Sequence, residues 1–106
     1  MRIRREKQDV PEESAIIAKV SDALAHPLRV EIFRYIYKEN LERRQPCTGE
    51  IVEKFGYSQS TVSQHMSKFT SSGLIEVKKQ NSFSYYFVNI GLLGKYLDAV
   101  KKLNQG

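Results

Sequence analysis

Residues 58–73 read SQSTVSQHMSKFTSSG, from Ser58 to Gly73. The composition is that of a loop, rich in small hydroxyl and amide side chains, yet the apolar residues are spaced as in a helix. At about 100° per residue, Val62, Met66 and Phe69 fall within roughly 60° of one another. Ser60, Ser63, Gln64 and Ser67 point the opposite way, with Thr61 and Lys68 on the flanks. The spacing predicts a helix that begins at Ser58 or Gln59 and stops at Gly73.

A helix lying in the major groove of DNA must present small or bidentate polar groups. Long branched side chains hold its backbone away, and acids are repelled by phosphate. The outward face of 58–73 contains no acid. Glutamine pairs bidentately with adenine, serine reaches a base edge or a phosphate, and the first turn from Ser58 offers free N–H groups to an anion.

Upstream, Thr48 reads as the N-cap of a short helix with Glu50 in its first turn, an apolar stripe of Ile51, Val52 and Phe55, and Gly56 as its stop. A short helix joined through "FGYS" to the polar-faced helix is a helix-turn-helix plan. Before it, Pro11, Glu12 and Glu13 start a first helix that continues through Ile16, Ile17, Val20, Ala23 and Leu24. His26 precedes Pro27 at the start of a second helix, with Leu28, Ile32, Tyr35 and Ile36 on one face and an end near Asn40. "LERRQP" is a polar connector. His26, fixed before a helix-starting proline, is assigned a structural place.

After Gly73 the period changes from 3.6 to 2. "LIEVKKQNSFSYYFVN" reads as a hairpin with strands near 75–79 and 84–88, so that Lys78, Lys79, Gln80 and Asn81 crowd its turn and suit contact with the DNA backbone. His65, about 60° from the core stripe, is expected to pack against this wing. Leu92, Leu93, Tyr96, Leu97, Val100 and Leu103 then recur at helical spacing as a fifth helix. The expectation is a mainly α domain with a small β-hairpin, a winged helix-turn-helix over 11–106. Residues 1–10, which mix four basic and two acidic side chains, read as a mobile basic arm.

At 106 residues, with 41% hydrophobic and 27% charged side chains, the chain suits one small folded domain. A core of that size gains from a partner subunit. The formal charge of +5 suits a polyanion, although charge alone does not demand one. Apolar runs are far shorter than the roughly 20 residues that span a bilayer, and the first ten residues lack a signal peptide's apolar segment. One cysteine, Cys47, excludes an intramolecular disulfide. A cytoplasmic setting without membrane contact is expected. No phosphate loop, nucleophile elbow or paired histidine and carboxylate at motif spacing points to an enzyme or a small-molecule substrate.

"LAHPLRVEIFRYI", "GEIVEKFGYSQSTVSQHMSKFTSSGLIEVKK" and "SYYFVN" together resemble the ArsR-type winged-helix transcription repressors over residues 15–103. The resemblance implies a homodimer that presents two recognition helices to a palindromic operator in double-stranded DNA. Its interface would lie on the first and last helices, at Ile16, Ile17, Val20, Leu93, Tyr96, Leu97 and Val100. On the family pattern Gln59, Ser60, Ser63 and Gln64 face bases or phosphates and Thr48 touches the backbone. Ser58, Thr61, Lys68 and the wing residues complete the expected DNA-facing set.

Many such repressors sense metals. One family site is a Cys-x-Cys pair at the start of the short helix, but this chain has Cys47 followed by Gly49. The other uses Asp and His on the last helix, where only Asp98 is found. One Asp cannot supply the four ligands of tetrahedral zinc, and no metal or cofactor is expected. Two alternatives stand beside the plain repressor: a redox response through Cys47, by sulfenylation or pairing with its twin, and a module whose polar helix meets protein.

Overall fold

The structure is a computed structural model and describes residues 10–105. The arm expected over 1–10 lies outside the described residues except for Val10. Helix α1 spans Glu12–Ala23, α2 Pro27–Leu41, α3 Thr48–Phe55 and α4 Gln59–Ser72. Strands β1 (Ile75–Gln80) and β2 (Phe83–Val88) pair antiparallel from Ile75↔Val88 to Gln80↔Phe83, and α5 (Ile90–Lys101) follows. The expected element order is observed. Leu103 falls in a single 3-10 turn after α5 rather than in the helix.

Local chemistry explains most boundaries. His26 caps α2 by accepting the Leu28 N–H at Nδ1, with Pro27 as the first helical residue. Ser58 caps α4 by accepting the Thr61 N–H. Gly56 and Gly73 close α3 and α4 in the left-handed region, at φ 75° and 84°, where a side chain is strained. Thr48 is not the cap of α3. Cys47 holds that position, and the Glu50 carboxylate accepts the Cys47 N–H at 2.9 Å. Thr48 is the first helical residue instead, its hydroxyl 3.0 Å from that of Tyr86.

The hairpin is one residue longer on each side of its turn than the alternation suggests. Asn81 and Ser82 both take positive φ, 50° and 71°, as the two central residues of a type I′ turn do, and this turn's twist matches that of the strands.

The core gathers Val20, Ile32, Ile36, Ile51, Val62, Met66, Phe69, Leu74 and Ile75, with Tyr86 and Val88 from the hairpin. Ser72 is polar within it, yet its hydroxyl donates to the Phe69 carbonyl and accepts the Leu74 N–H, so both of its needs are met as the chain turns into β1. Asn40 ties the end of α2 to β2 by accepting the Val88 N–H at 2.8 Å and donating to the Arg44 carbonyl at 2.9 Å. The connector then lays Pro46 and Cys47 along β2, where the Tyr86 N–H donates to the Pro46 carbonyl. Helix α1 packs against α5, and α3 and α4 pack together on the face beneath the hairpin.

Val20 is fully buried inside its own chain. It belongs to the core and has no surface left for a second subunit, contrary to the expectation from its stripe.

Candidate nucleic-acid interface

Helix α4 exposes Gln59, Ser60, Ser63, Gln64, Ser67, Lys68 and Ser71 while burying Val62, Met66 and Phe69. The polar face is not one uniform strip. Gln59 and Ser63 line a groove shared with Thr48, Lys79, Ser84 and Tyr86, between the helix and the hairpin. Gln64 and Lys68 line a separate depression against α1, beside Lys19 and Asp22. Ser67 borders both, and Ser60 is exposed at the start of the helix.

Several expected contacts have local duties. The Ser58 hydroxyl accepts the Thr61 N–H and donates to the Thr61 hydroxyl, so these two side chains shape the start of the helix. The Lys68 ammonium is 3.6 Å from the Asp22 carboxylate, with both side chains more than half exposed. An exposed pair of this kind is weak and leaves the lysine available to phosphate. The face of α4 itself is free of acids, but Asp22 stands at its α1 edge. Lys78 and Lys79 do not act as a pair. Successive strand residues point to opposite faces, and Lys79 lines the groove toward α4 whereas Lys78 stands on the outer face, opposite Tyr85. Gln80 and Asn81 are exposed at the tip.

The sequence reading overlooked Tyr86 and Arg29. Tyr86 is buried apart from its edge, and its hydroxyl pairs with that of Thr48 across the floor of the groove. The β2 alternation alone places it on the groove face with Ser84. Arg29 donates to the carbonyls of Ala23 and Asp22, where the C-terminal end of α1 attracts a cation, and approaches His65 Nδ1 to 3.4 Å.

His65 therefore does not rest on the wing. Its ring lies 5.4 Å from that of His26, at the start of α2. Burial, then the Arg29 charge, then His26 hold its pKa below the ordinary value, so the imidazole is neutral near pH 7.

Cys47 is a half-buried free thiol. Among the described residues no three of His, Cys, Asp and Glu are grouped to hold a metal ion, and no helix is long and apolar enough to cross a membrane.

A short helix, a tight turn, an acid-free exposed helix and a hairpin with a lysine facing it form one continuous surface. Residues 24–78 match the helix-turn-helix domain family. The chain belongs to that family. Its fold is the ArsR-type winged helix-turn-helix, and the family consists of DNA-binding regulators, not enzymes. The nodulation protein NolR of Rhizobium meliloti is 29% identical over 92 residues, covering 87% of this chain and 71% of that protein. An ArsR-like transcriptional regulator from Rhodococcus sp. RHA1 has a similar structure, with a TM-score of 0.72 and 20% identity over 86% of this chain and 79% of that one. So does the homodimeric winged helix-turn-helix DNA-binding domain of Mb0332 from Mycobacterium bovis, with a TM-score of 0.62 and 19% identity over 92% and 94% of the two chains.

Proposed function

We propose that this helix-turn-helix protein is a homodimeric repressor that occupies a short palindromic operator in the cytoplasm and has no built-in metal switch. The observation that carries this reading is the exposed face of α4, which has no acid, beside a groove whose far wall carries Lys79. Such a face meets a polyanion without repulsion, while amides and hydroxyls remain to read base edges.

Gln59 and Ser63 read bases on the wing side and Ser60 and Gln64 on the other. Thr48, Lys68, Lys78 and Lys79 contact phosphates, with Gln80 and Asn81 at the wing tip. Ser58 and Thr61 shape the first turn, whose remaining N–H groups, those of Gln59 and Ser60, meet a phosphate.

The homodimer rests on the apolar side chains left uncovered on α5 and the turn after it, Leu97, Val100 and Leu103, with the half-buried Ile17 of α1 beside them in the proposed interface. The homodimeric state of Mb0332 supports a dimer. Ile16, Leu93 and Tyr96 pack partly against their own core and contribute at the edge. A two-fold dimer reads two half-sites one helical turn apart, hence a palindrome.

Selection of bound duplexes from a random pool, followed by titration at two salt concentrations, tests the reading. A palindromic motif is expected. If six or more phosphates are neutralised, affinity should drop by about a thousandfold or more between roughly 50 and 200 mM salt. Flat salt dependence with no recovered motif would reject DNA binding in favour of a protein partner.

A further inference from the structure

Tyr86 is fixed from several sides at once. Its ring belongs to the core, and only 6% of the residue is exposed. Its N–H donates to the Pro46 carbonyl at 3.0 Å, and its carbonyl accepts from the Asn40 side-chain amide at 3.4 Å. The neighbouring Tyr85 bridges Cys47. These links clamp β2 to the residues just before α3. The place of the Tyr86 hydroxyl relative to the first turn of α3 is therefore set by backbone and by a buried ring, and that hydroxyl lies 3.0 Å from the Thr48 hydroxyl.

A buried tyrosine hydroxyl needs a hydrogen-bond partner, and Thr48 supplies it. What Thr48 gains is a direction. A threonine hydroxyl has one hydrogen and two acceptor lone pairs, and the hydrogen rotates to suit its surroundings. Thr48 is half-buried and lines the groove with Gln59, Ser63 and Lys79, so it is the outer member of the pair and Tyr86 the inner one. A phosphate in the groove only accepts. One order then satisfies every group: the Tyr86 O–H donates to Thr48 Oγ1, and the Thr48 O–H donates to a phosphate oxygen. In such a chain each hydrogen bond polarises the next. The acid of the same turn, Glu50, is engaged by the Cys47 N–H at 2.9 Å.

We propose that Tyr86 is a positioning residue for DNA: by donating to Thr48 it turns the Thr48 hydroxyl hydrogen toward a phosphate of the operator. The inference rests on the DNA-binding reading above and adds to it a residue that acts through Thr48 rather than by touching DNA.

The experiment uses the full chain and an operator duplex recovered from the random pool, with each phosphate in turn replaced by a neutral methylphosphonate. One replacement per half-site should weaken wild-type binding through Thr48. Thr48→Val should bind the unmodified duplex about tenfold more weakly and lose nothing further at that position, whereas Thr48→Ser should behave as wild type. Tyr86→Phe, which keeps the ring, should also bind more weakly and lose most of its sensitivity at that one phosphate. Phosphates met by lysines should stay sensitive in both variants. Thr48→Val with Tyr86→Phe should be no weaker than Thr48→Val alone. In the free wild-type protein, three-bond couplings at Thr48 should report a single χ1 rotamer, a check that does not depend on how well Tyr86→Phe folds. If Tyr86→Phe keeps full sensitivity at the phosphate that Thr48→Val no longer senses, Tyr86 is structural only and the proposal is overturned. Additive losses in the double variant, rotamer averaging at Thr48, or a Thr48→Val variant that binds as wild type also overturn it, while leaving DNA binding intact. Failure of wild-type protein to bind any duplex overturns both.

Discussion

His65 sits beside the guanidinium of Arg29. His26 faces it from the cap of α2, and Arg29 is fixed beside it by the carbonyls at the end of α1. A proton on His65 would be partly desolvated and would face a guanidinium, so the folded chain resists binding it, whereas the unfolded chain takes it up near the ordinary pKa of 6.5. Stability rises with pH wherever the unfolded state holds more protons. The contribution of neutral His65 is thus present in full above about pH 6.5 and is lost as pH falls through that value toward the lower folded-state pKa. The melting temperature should be level from about pH 8 to 7 and fall from about pH 6.5 to 5. His65→Gln, which keeps a neutral polar side chain, should flatten that fall. An unchanged slope in the variant would show that the pH dependence arises elsewhere. None of this was legible on a helical wheel, which gives the angle of His65 but not its neighbour: the expectation of a wing contact failed because Arg29 and His26, some 36 and 39 positions away, close over that flank.

Helix α4 was the most legible element because everything that defines it is local. The Ser58 cap, the Val62, Met66 and Phe69 stripe and the Gly73 stop lie within sixteen residues. The caps of its neighbours were harder. Thr48 and Cys47 compete for the start of α3, and Tyr86, 38 positions away, engages the Thr48 hydroxyl. In the same way, alternation shows that Lys78 and Lys79 diverge, but only the packing of the hairpin over α4 shows that Lys79 is the inward one. The two edges of α4 permit a sharper prediction than its composition does. Ser63 looks toward the wing and Gln64 toward α1, and neither supports the fold. Ser63→Ala with Gln64→Ala should therefore leave the melting temperature unchanged and abolish most discrimination between operator and random duplex, at about 1–3 kcal/mol for each lost base contact. Binding to random duplex should persist through the phosphate contacts. If the double variant still prefers its operator as strongly as wild type, base reading lies on other residues.

At the scale of the whole molecule, apolar periodicity marked α1 and α5 as sticky without saying which side of each faces its own chain. The fold divides them. Val20 turns inward, and Ile16, Leu93 and Tyr96 are shared with the core, the Tyr96 hydroxyl lying 3.0 Å from that of Ser21. Leu97 at 55% exposure and Val100 at 37% are left outside. The Lys102 ammonium meets the Glu13 carboxylate at 2.9 Å, tying the end of α5 to the start of α1, so the two helices present their outer faces as one surface. Burying that surface against a second copy removes apolar area from water at about 25 cal/mol per Å². Placing a carboxylate there without a partner opposes association strongly. Leu97→Glu with Val100→Glu should give a folded monomer by sedimentation, since both side chains are peripheral to the core. DNA affinity should then fall by about a hundredfold or more, because the second half-site is no longer bound at the high effective concentration that a linked subunit supplies. Each monomer should retain its α4 face and so should still prefer a half-site to random duplex. A variant that remains dimeric would move the interface off α5, and a monomer with undiminished operator affinity would show that one subunit suffices.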